Sequence, residues 1–369
     1  MMLRITALSA LALFTATGAL AQTVTSVSVF ASGSAVGATG PDSITNTGTN
    51  VWVEYGNGAA STGGMGDSTI VEYSPNGTVE NTYSVPGLVD GLKVNPSTGM
   101  VWALQNNDGN ATLTLINPQN GKMTGPLSYQ SPPYVYGPSS GRGYDDVAFL
   151  NGKVYLSYTN PVNPTDPVLQ ILNQGNNPSG TLTTTSILKA SQTNPLFTSS
   201  SQAPPDIDSL KSTPGGQLVL TSEGDGLGSA FATSDGRITL ISSPGTASQT
   251  VTNVRVTNSG GTNVNGMDDV IFPGATSGTL YVADTATNTV YAVHVTGLNP
   301  DIPIASLGSF GEVGLVNPTS GVVGMPLLGN LKSPHGMDFV VPEPSTWAML
   351  LLSLAALAAG AARRLSAAA

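Results

Sequence analysis

The chain has 369 residues, a formal net charge of −10, only 9% charged residues, 44 glycines, 26 prolines and no cysteine. So few basic residues in an acidic chain argue against nucleic acid and anionic membrane surfaces as partners. The lack of cysteine excludes disulfides, thiol catalysis, iron–sulfur clusters and cysteine-based zinc sites. A composition rich in Gly, Pro, Ser, Thr and Asn favours short strands and many turns over helices.

The N-terminal segment has the pattern of a secretory signal peptide. Arg4 precedes a long apolar region, and Ala19 and Ala21 form a small-x-small cleavage site before Gln22. The sequence therefore predicts export through the Sec machinery, removal of residues 1–21 and a mature chain that begins at Gln22.

The middle of the chain repeats a motif in which an apolar residue and an aspartate open a strand. The spacing between these aspartates is 48 to 69 residues, slightly longer than the roughly 40–50 residues of a four-stranded propeller blade. The marker residues are Asp42, Asp90, Asp146, Asp208, Asp269 and Asp338.

The clearest copy of the repeat runs from Gly266 to Val293. It contains three short strands, 266–272, 278–284 and 288–293, separated by turns of Gly, Pro and Asn. We interpret them as consecutive strands of one repeat.

Six markers predict an all-β fold, a six-bladed β-propeller over residues 22–341. Five or seven blades, a β-sandwich and a β-solenoid remain as alternatives. A Gly-Φ-Asp start (Φ apolar) followed by a strand such as Gly278–Asp284 resembles NHL-type propellers. Ring closure is expected to pair the last strand, 336–341, with a strand near Thr25–Phe30, which leaves no long open edge.

The recurring aspartates are the candidate site residues. Residues that open the innermost strands of a propeller gather around its channel, so these carboxylates are expected to form a ring able to hold Ca²⁺ or a cationic ligand. The alternative, which we favour for a residue that recurs in every blade, is that each Asp accepts backbone N–H bonds and caps a loop. No cofactor is assigned on this basis, and Ca²⁺ is the metal considered. The five residues are Asp90, Asp146, Asp208, Asp269 and Asp338.

Two histidines and one turn are weaker candidates. His335 lies near Asp338 and the expected channel, whereas His294 is expected on an exposed strand. The turn from Asp225 to Gly228, which follows Glu223, is similar to a calcium-binding turn but lacks the ligand series of an EF-hand.

The last 28 residues have three parts in a fixed order: Pro342-Glu343-Pro344, an uncharged segment from 345 to 362, and the pair Arg363-Arg364. At about 1.5 Å per residue, the middle segment would span roughly 27 Å as a helix, close to the ~30 Å apolar core of a bilayer. The Arg pair is expected to remain cytoplasmic. A permanent membrane anchor and a buried core helix are the alternatives to a cleaved signal.

This arrangement resembles the PEP-CTERM sorting signal of Gram-negative bacteria, also known as an ice-binding protein C-terminal domain. The resemblance implies recognition by a membrane-embedded exosortase that cleaves near the triplet. Residues 342–369 are therefore expected to be a sorting signal with a transmembrane helix, which anchors an intermediate in the inner membrane before delivery to the cell surface or extracellular matrix.

Three classes of function remain for the exported body. The favoured one is a non-enzymatic surface or matrix protein whose propeller binds extracellular polysaccharide or a surface protein. A metal-dependent propeller hydrolase or lactonase is the alternative, and a passive structural component is the third class.

Overall fold

The computed structural model describes residues 22–130, 142–199, 205–223 and 236–341. Six four-stranded antiparallel sheets are arranged around a central channel, as the six blades of a β-propeller. The predicted all-β, six-bladed architecture is therefore confirmed. Within these residues the helical segments are single turns, the α-helix Ala190–Thr193 and the 3₁₀ segments Gly33–Val36, Thr285–Thr287 and Gly308–Phe310.

Blades 1 to 4 each use four consecutive strands, ordered from the channel outward. The first strand of the chain, β1 (Thr23–Ser32), belongs to the last blade. Blade 1 contains β2 (Pro41–Asn46), β3 (Val51–Tyr55), β4 (Asp67–Tyr73) and β5 (Val79–Pro86). Blade 2 contains β6 (Val89–Val94), β7 (Val101–Gln105), β8 (Thr112–Ile116) and β9 (Met123–Ser128). Blade 3 contains β10 (Tyr144–Leu150), β11 (Lys153–Tyr158), β12 (Pro167–Leu172) and β13 (Thr184–Lys189). Blade 4 contains β14 (Ile207–Ser212), β15 (Leu218–Ser222), β16 (Arg237–Ser242) and β17 (Thr250–Arg255).

Blades 5 and 6 exchange strands along the chain. Blade 5 contains β18 (Val270–Ile271), β21 (Ile304–Leu307), β22 (Glu312–Val316) and β23 (Val323–Leu328). Blade 6 contains, from the channel outward, β24 (Pro334–Val340), β19 (Ser277–Asp284), β20 (Thr289–Thr296) and β1. The chain therefore leaves blade 5 after its innermost strand, builds two strands of blade 6, and returns to complete blade 5.

This exchange corrects our interpretation of residues 266–293 as one repeat. Strand β18 pairs with β21, whereas β19 and β20 pair with each other in the next blade. The expected closing pair is also wrong in detail, because β24 pairs with β19 and β1 pairs with β20. Both ends of the body do lie in blade 6, on opposite sides of the β19–β20 hairpin. A short turn between two apolar strands can join paired neighbours within one blade or can connect one blade to the next. The sequence pattern is the same in both cases, so it did not distinguish them.

One apolar cluster fills each of the six interfaces between neighbouring blades. Because neighbours cover both faces of a blade, the second strands are buried along their length and are rich in consecutive apolar residues, as in β3 and β7. Trp52 stacks on Tyr83 between blades 1 and 2, with ring centroids 5.3 Å apart. Trp102 meets Phe149 edge-on between blades 2 and 3, at 5.2 Å. These interfaces hold the innermost strands in fixed positions around the channel.

Candidate functional site

The innermost strands share a β-bulge near their first residue. In five of the six blades, the pairing between the first and second strands shifts at this point, so that two residues oppose one. Bulges of this kind bend a strand and redirect a side chain. The first residue of each bulge lines the channel mouth, and these residues are Asp42, Asp90, Asp145, Asp208 and His335.

Serine hydroxyl groups accept hydrogen bonds from backbone N–H groups of the inner strands that lack a partner in the sheet. The N–H of Asp146 donates to Ser157 Oγ at 2.8 Å, and the N–H of Asp269 donates to Ser306 Oγ at 2.7 Å. Asp269 follows Asp268, which stands in blade 5 where the other blades have their first bulge residue. The carboxylates of Asp145 and Asp268 are therefore not needed as partners for these backbone N–H groups, and both residues line the channel mouth.

The result is an acidic mouth at one end of the channel. Its cavity has a volume of about 280 Å³. Among the described residues that line it, His335 is the one cationic side chain. The acidic residues that line it are Asp42, Asp90, Asp108, Asp145, Asp206, Asp208, Glu223 and Asp268.

Three groups in this mouth bring oxygen or nitrogen ligand atoms within 4.8 Å of one another. The first consists of Asp90, Asp145 and Asp208, and the second of Asp208, Glu223 and Asp268. The third consists of Asp42, Asp268 and His335. Asp208 joins the first two groups, so the carboxylates form one connected arc rather than separate sites.

Two oxygens in this arc are buried and have no hydrogen-bond partner. They are Asp208 Oδ2 and Asn107 Oδ1. The other end of the Asn107 amide lies near the arc, with Nδ2 3.4 Å from Asp145 Oδ1. Buried polar atoms normally have a partner, so each of these oxygens calls for one. A hard cation that prefers oxygen ligands would supply it.

The acidic groups also raise one another's pKa. Burial and neighbouring carboxylates raise the pKa of Asp90 to about 7, that of Glu223 to about 7 and that of Asp268 to about 6. The same causes raise the pKa values of Asp145 and Asp208 well above the usual range. The ionised mouth is therefore electrostatically unfavourable without added positive charge, and a bound cation would relieve this repulsion.

His335 supplies part of that positive charge. Its Nδ1 lies 3.0 Å from Asp268 Oδ1 and 3.2 Å from Asp42 Oδ1. Burial alone would lower the pKa of His335, but these two carboxylates outweigh it and raise the pKa to about 12. The imidazole is consequently protonated at neutral pH and acts as an internal counter-ion.

Ser333 completes an arrangement that has the order of a serine hydrolase triad. Its Oγ lies 2.9 Å from His335 Nε2, and His335 Nδ1 faces the carboxylates of Asp268 and Asp42. A catalytic base must accept the serine proton on a neutral imidazole. Two carboxylates raise the pKa of His335, and the protonated form of the ring would donate from Nε2 to Ser333 rather than accept the serine proton.

A second layer of inner-strand residues lies directly below the mouth and alternates around the ring. In blades 1, 3 and 5 a side chain accepts a backbone N–H from the next blade. These bonds join Ser43 Oγ to Leu92 at 3.2 Å, Asp146 Oδ2 to Leu210 at 3.0 Å and Asp269 Oδ2 to Met337 at 2.7 Å. In blades 2 and 6 the corresponding residues are glycines, since a Cβ on Gly91 or Gly336 would lie 2.3 Å from a carbonyl oxygen of the next blade.

Two lysines close the channel beneath this layer. Lys211 Nζ lies 2.6 Å from Asp269 Oδ1 and 3.1 Å from Asp146 Oδ2. Lys93 Nζ lies 3.6 Å from the same Asp146 oxygen. A cavity of only about 30 Å³ lies between the acidic mouth and these lysines, which form the waist of the channel. Further along, Asp338 accepts bonds from Asn46 Nδ2 at 2.7 Å and from the N–H of Phe339 at 2.8 Å.

The five aspartates selected from the sequence thus lie at three levels. Asp90 and Asp208 belong to the acidic mouth. Asp146 and Asp269 belong to the second layer, where they accept backbone N–H bonds, and Asp338 lies beyond the waist. Sequence reasoning missed Asp145 and Asp268 as mouth residues, and the doublets Asp145-Asp146 and Asp268-Asp269 were the signal that these two repeats each offer two adjacent carboxylates.

The weaker candidates from the sequence either lie away from the mouth or belong to residues that the structure does not describe. His294 Nδ1 lies 2.9 Å from Thr279 Oγ1 within blade 6, away from the channel. Glu223 lines the mouth, whereas the turn from Asp225 to Gly228 lies outside the described residues. The same is true of most of the predicted processing residues, namely Ala19, Ala21, Pro342, Glu343, Pro344, Arg363 and Arg364.

In the parts of the chain that the structure describes, we find no helix both long and apolar enough to cross a membrane.

Residues 340–364 match the model of the PEP-CTERM protein-sorting motif. The chain therefore carries this motif, which implies an exported protein that exosortase processes through a membrane-anchored intermediate. No curated protein sequence matches the chain.

Several solved structures are similar to the propeller body. A putative gluconolactonase has 12% identity and a TM-score of 0.46, with 83% of this chain and 82% of that chain covered. The periplasmic gluconolactonase of Pseudomonas aeruginosa has 12% identity and a TM-score of 0.44, with 82% and 88% covered. Hydrazine synthase of Kuenenia stuttgartiensis has 9% identity and a TM-score of 0.41, with 76% and 77% covered. Similarity at this level assigns neither an activity nor a ligand to this chain.

Proposed function

We propose that this protein is sorted through its C-terminal motif and acts outside the inner membrane as a binding protein whose propeller holds a divalent cation, Ca²⁺, at the acidic mouth. The observation that carries the proposal is the set of five aspartates, one from each of blades 1 to 5, that line the same cavity, with His335 as their single cationic neighbour among the described lining residues. They are Asp42, Asp90, Asp145, Asp208 and Asp268.

The ligands of the cation would come from Asp90, Asp145 and Asp208. Their carboxylate oxygens lie within 4.8 Å of one another, close enough for one ion to contact all three. Asp208 and Asn107, each of which has a buried oxygen without a hydrogen-bond partner, line the same cavity. Ca²⁺ takes six to eight oxygen ligands in flexible geometry, and carboxylates, an amide oxygen and water match that preference.

A cation at an open mouth also suggests a partner. Part of its coordination would remain available to oxygen ligands from outside the propeller. An acidic polysaccharide or an acidic segment of a surface protein would supply such oxygens, whereas the acidic mouth would repel either one without the cation. We therefore propose cation-dependent binding of an extracellular acidic polymer at the cell surface or in the matrix.

Calorimetric titration of the purified, chelator-treated protein with Ca²⁺ tests the cation site. We expect one class of site whose affinity falls at least about tenfold in Asp208→Asn, because this change removes a charge shared by two ligand groups. Asp301→Asn is the matched control, since Asp301 is exposed on a distant loop. Equal binding by the two variants would contradict the site.

The sorting half of the proposal is tested separately. The mature chain is proposed to begin at Gln22 and to lose the segment after Pro342-Glu343-Pro344. Replacement of Arg363 and Arg364 by Ala should leave the folded body intact and prevent normal delivery, because the pair holds the segment end at the cytoplasmic side. Intact mass and cell fractionation measure both points, and normal delivery of the double variant would contradict the assignment.

A cation-dependent hydrolase acting on lactones is the second candidate function. It is favoured by the cavity of about 280 Å³ beside the same carboxylates, which has room for a small substrate. A cation held there would polarise a carbonyl oxygen as a Lewis acid. Lactone hydrolysis by the Ca²⁺-loaded protein, lost in Asp208→Asn, would move this function to first place.

A further inference from the structure

The channel has a second mouth, on the far side of the lysine waist, with a different chemistry. Its cavity has a volume of about 240 Å³. Apolar and polar side chains line it together, and the two lysines reach it from the waist. The wall residues that matter here are Ile44, Val147, Phe149, Leu210, Phe272 and Met337. A cavity that combines apolar residues with a few polar groups is the usual form of a small-molecule site.

The two lysines at its floor are not equivalent. Lys211 has two carboxylate partners, at 2.6 and 3.1 Å, and both contacts are within hydrogen-bond distance. Lys93 has one, at 3.6 Å, which is too long for a hydrogen bond. Both ammonium groups approach the same oxygen, Asp146 Oδ2, and Lys211 lies closer to it, so Lys211 has the stronger electrostatic interaction with this carboxylate.

The alternation of the second layer explains this difference. Lys211 of blade 4 lies between blades 3 and 5, which supply Asp146 and Asp269. Lys93 of blade 2 lies between blades 1 and 3, and blade 1 has Ser43 at the corresponding position. Lys93 therefore lacks the second carboxylate that stabilises the cationic form of Lys211.

The electrostatics of Lys93 agree with this geometry. Burial and the nearby Lys211 lower the pKa of Lys93, and the opposing effects of Asp146 and Asp269 do not compensate fully. Asp338 faces the same cavity from blade 6. The side chain of Lys93 remains 17% exposed and lines the cavity. A desolvated amine beside a second cation is how proteins obtain a free, nucleophilic lysine.

We propose that Lys93 Nζ is a nucleophilic amine that captures small apolar aldehydes in this second mouth. The Nζ lone pair would form a bond to the carbonyl carbon, and loss of one water would then give an imine without any oxidant or reductant. Phe149 and Phe272 would contact the apolar part of the aldehyde. A carboxylate ligand fits less well. Three carboxyl groups, those of Asp146, Asp269 and Asp338, already lie near the two lysines, so little positive charge remains for a negatively charged ligand.

The test uses benzaldehyde and cyanoborohydride, which converts an imine into a stable adduct that peptide mass spectrometry can locate. We expect Lys93 to be labelled about tenfold faster at pH 7 than the exposed residues Lys122 and Lys153, because a lowered pKa leaves more of the Lys93 amine free to react. Labelling of Lys93 should also reach half its maximum at a lower pH than labelling of Lys153. Equal or slower labelling of Lys93 would overturn the proposal.

Ser43→Asp provides a sharper test, since it leaves Lys93 in place and supplies the carboxylate that blade 1 lacks. We expect labelling of Lys93 to fall to the rate of Lys153. Ser97→Asp, in an exposed turn, is the control and should change nothing. Unchanged labelling in a Ser43→Asp variant with a native circular dichroism spectrum would contradict the proposal. If that variant does not fold, the pH dependence of labelling at Lys93 and Lys153 in the unmodified protein tests the proposal instead.

Discussion

Asp269 Oδ2 accepts a hydrogen bond from the backbone N–H of Met337 at 2.7 Å, and this bond joins the channel ends of blades 5 and 6. The same carboxylate holds Lys211 at 2.6 Å through its other oxygen. One buried side chain thus links two blades and helps to close the channel waist. The second layer is therefore structural, whereas the mouth above it carries the unsatisfied charge.

This role makes Asp269 costly to remove. Asp269→Ala would leave Met337 N–H without its partner and would remove one of the two carboxylates of Lys211. Breaking a buried ion pair by deleting one partner costs about 3–5 kcal/mol, and we expect a loss of that size in urea unfolding. Asp301→Ala, on an exposed loop, is the control and should cost less than about 0.5 kcal/mol. A loss below about 1 kcal/mol for Asp269→Ala would contradict the assigned role.

The glycines of the second layer give a steric prediction. A Cβ on Gly336 would lie 2.3 Å from the carbonyl oxygen of Asp42, so blades 6 and 1 would have to separate. We expect Gly336→Ala to destabilise the fold by about 1–3 kcal/mol, as overpacking does. In Gly215→Ala the new Cβ would have only Thr213 Oγ1 nearby, at 3.7 Å. Thermal melts of the two variants compare them directly, and equal melting temperatures would show that the close approach is not needed.

The acidic mouth predicts an unusual dependence of stability on pH. Asp90, Glu223 and Asp268 have raised pKa values of about 7, 7 and 6 in the folded protein. Since the folded state holds these protons more tightly than the unfolded chain does, their contribution is fully present below about pH 4 and is lost as the pH rises through 6 to 7. His335 acts in the same direction above about pH 6.5, because its pKa is raised to about 12.

We therefore expect the melting temperature of the chelator-treated protein to fall between pH 5 and pH 8. Millimolar Ca²⁺ should reduce this fall, because bound cation compensates the ionised carboxylates. Differential scanning calorimetry at several pH values measures both effects. A melting temperature that stays constant or rises over this range without Ca²⁺ would be incompatible with the described electrostatics.

Much of the fold could be predicted from the sequence, because it depends on local patterns. Strands such as Val101–Gln105 are continuous apolar runs bounded by turn residues, and six Asp-containing starts give six blades. The exchange between blades 5 and 6 could not be predicted this way. The turn after β18 joins two strands that look like a hairpin, and whether they pair depends on contacts with β21 and β24, which lie far along the chain.

The site was harder to predict than the fold because a bulge changes which residue faces the channel. Asp145 and Asp146 are adjacent, yet one lines the mouth and the other accepts a bond from the next blade. A strand without a bulge would place successive side chains on opposite faces in a regular way. His335 stands where the other blades have Asp, so a search for repeated aspartates selected Asp338 instead, three positions too far along the strand.

A substitution of His335 distinguishes a role as counter-ion from a role as cation ligand. As the imidazolium counter-ion of Asp268 and Asp42, it opposes a cation in the same mouth. His335→Gln keeps a polar side chain and removes the charge, so we expect Ca²⁺ to bind about tenfold more tightly, which corresponds to ~1.4 kcal/mol. Calorimetric titration measures the change. Weaker binding would mean that the histidine is itself a ligand.

The central claim is that the inner strands assemble a cation site at the acidic mouth, and a crystal structure of the protein with Ca²⁺ tests it most directly. We expect one strong density peak between Asp90, Asp145 and Asp208, with oxygen distances of about 2.3–2.6 Å. The peak should be absent in Asp208→Asn and present in Asp301→Asn. A mouth without such a peak at millimolar Ca²⁺, or an ion found only at exposed surface carboxylates, would contradict the account.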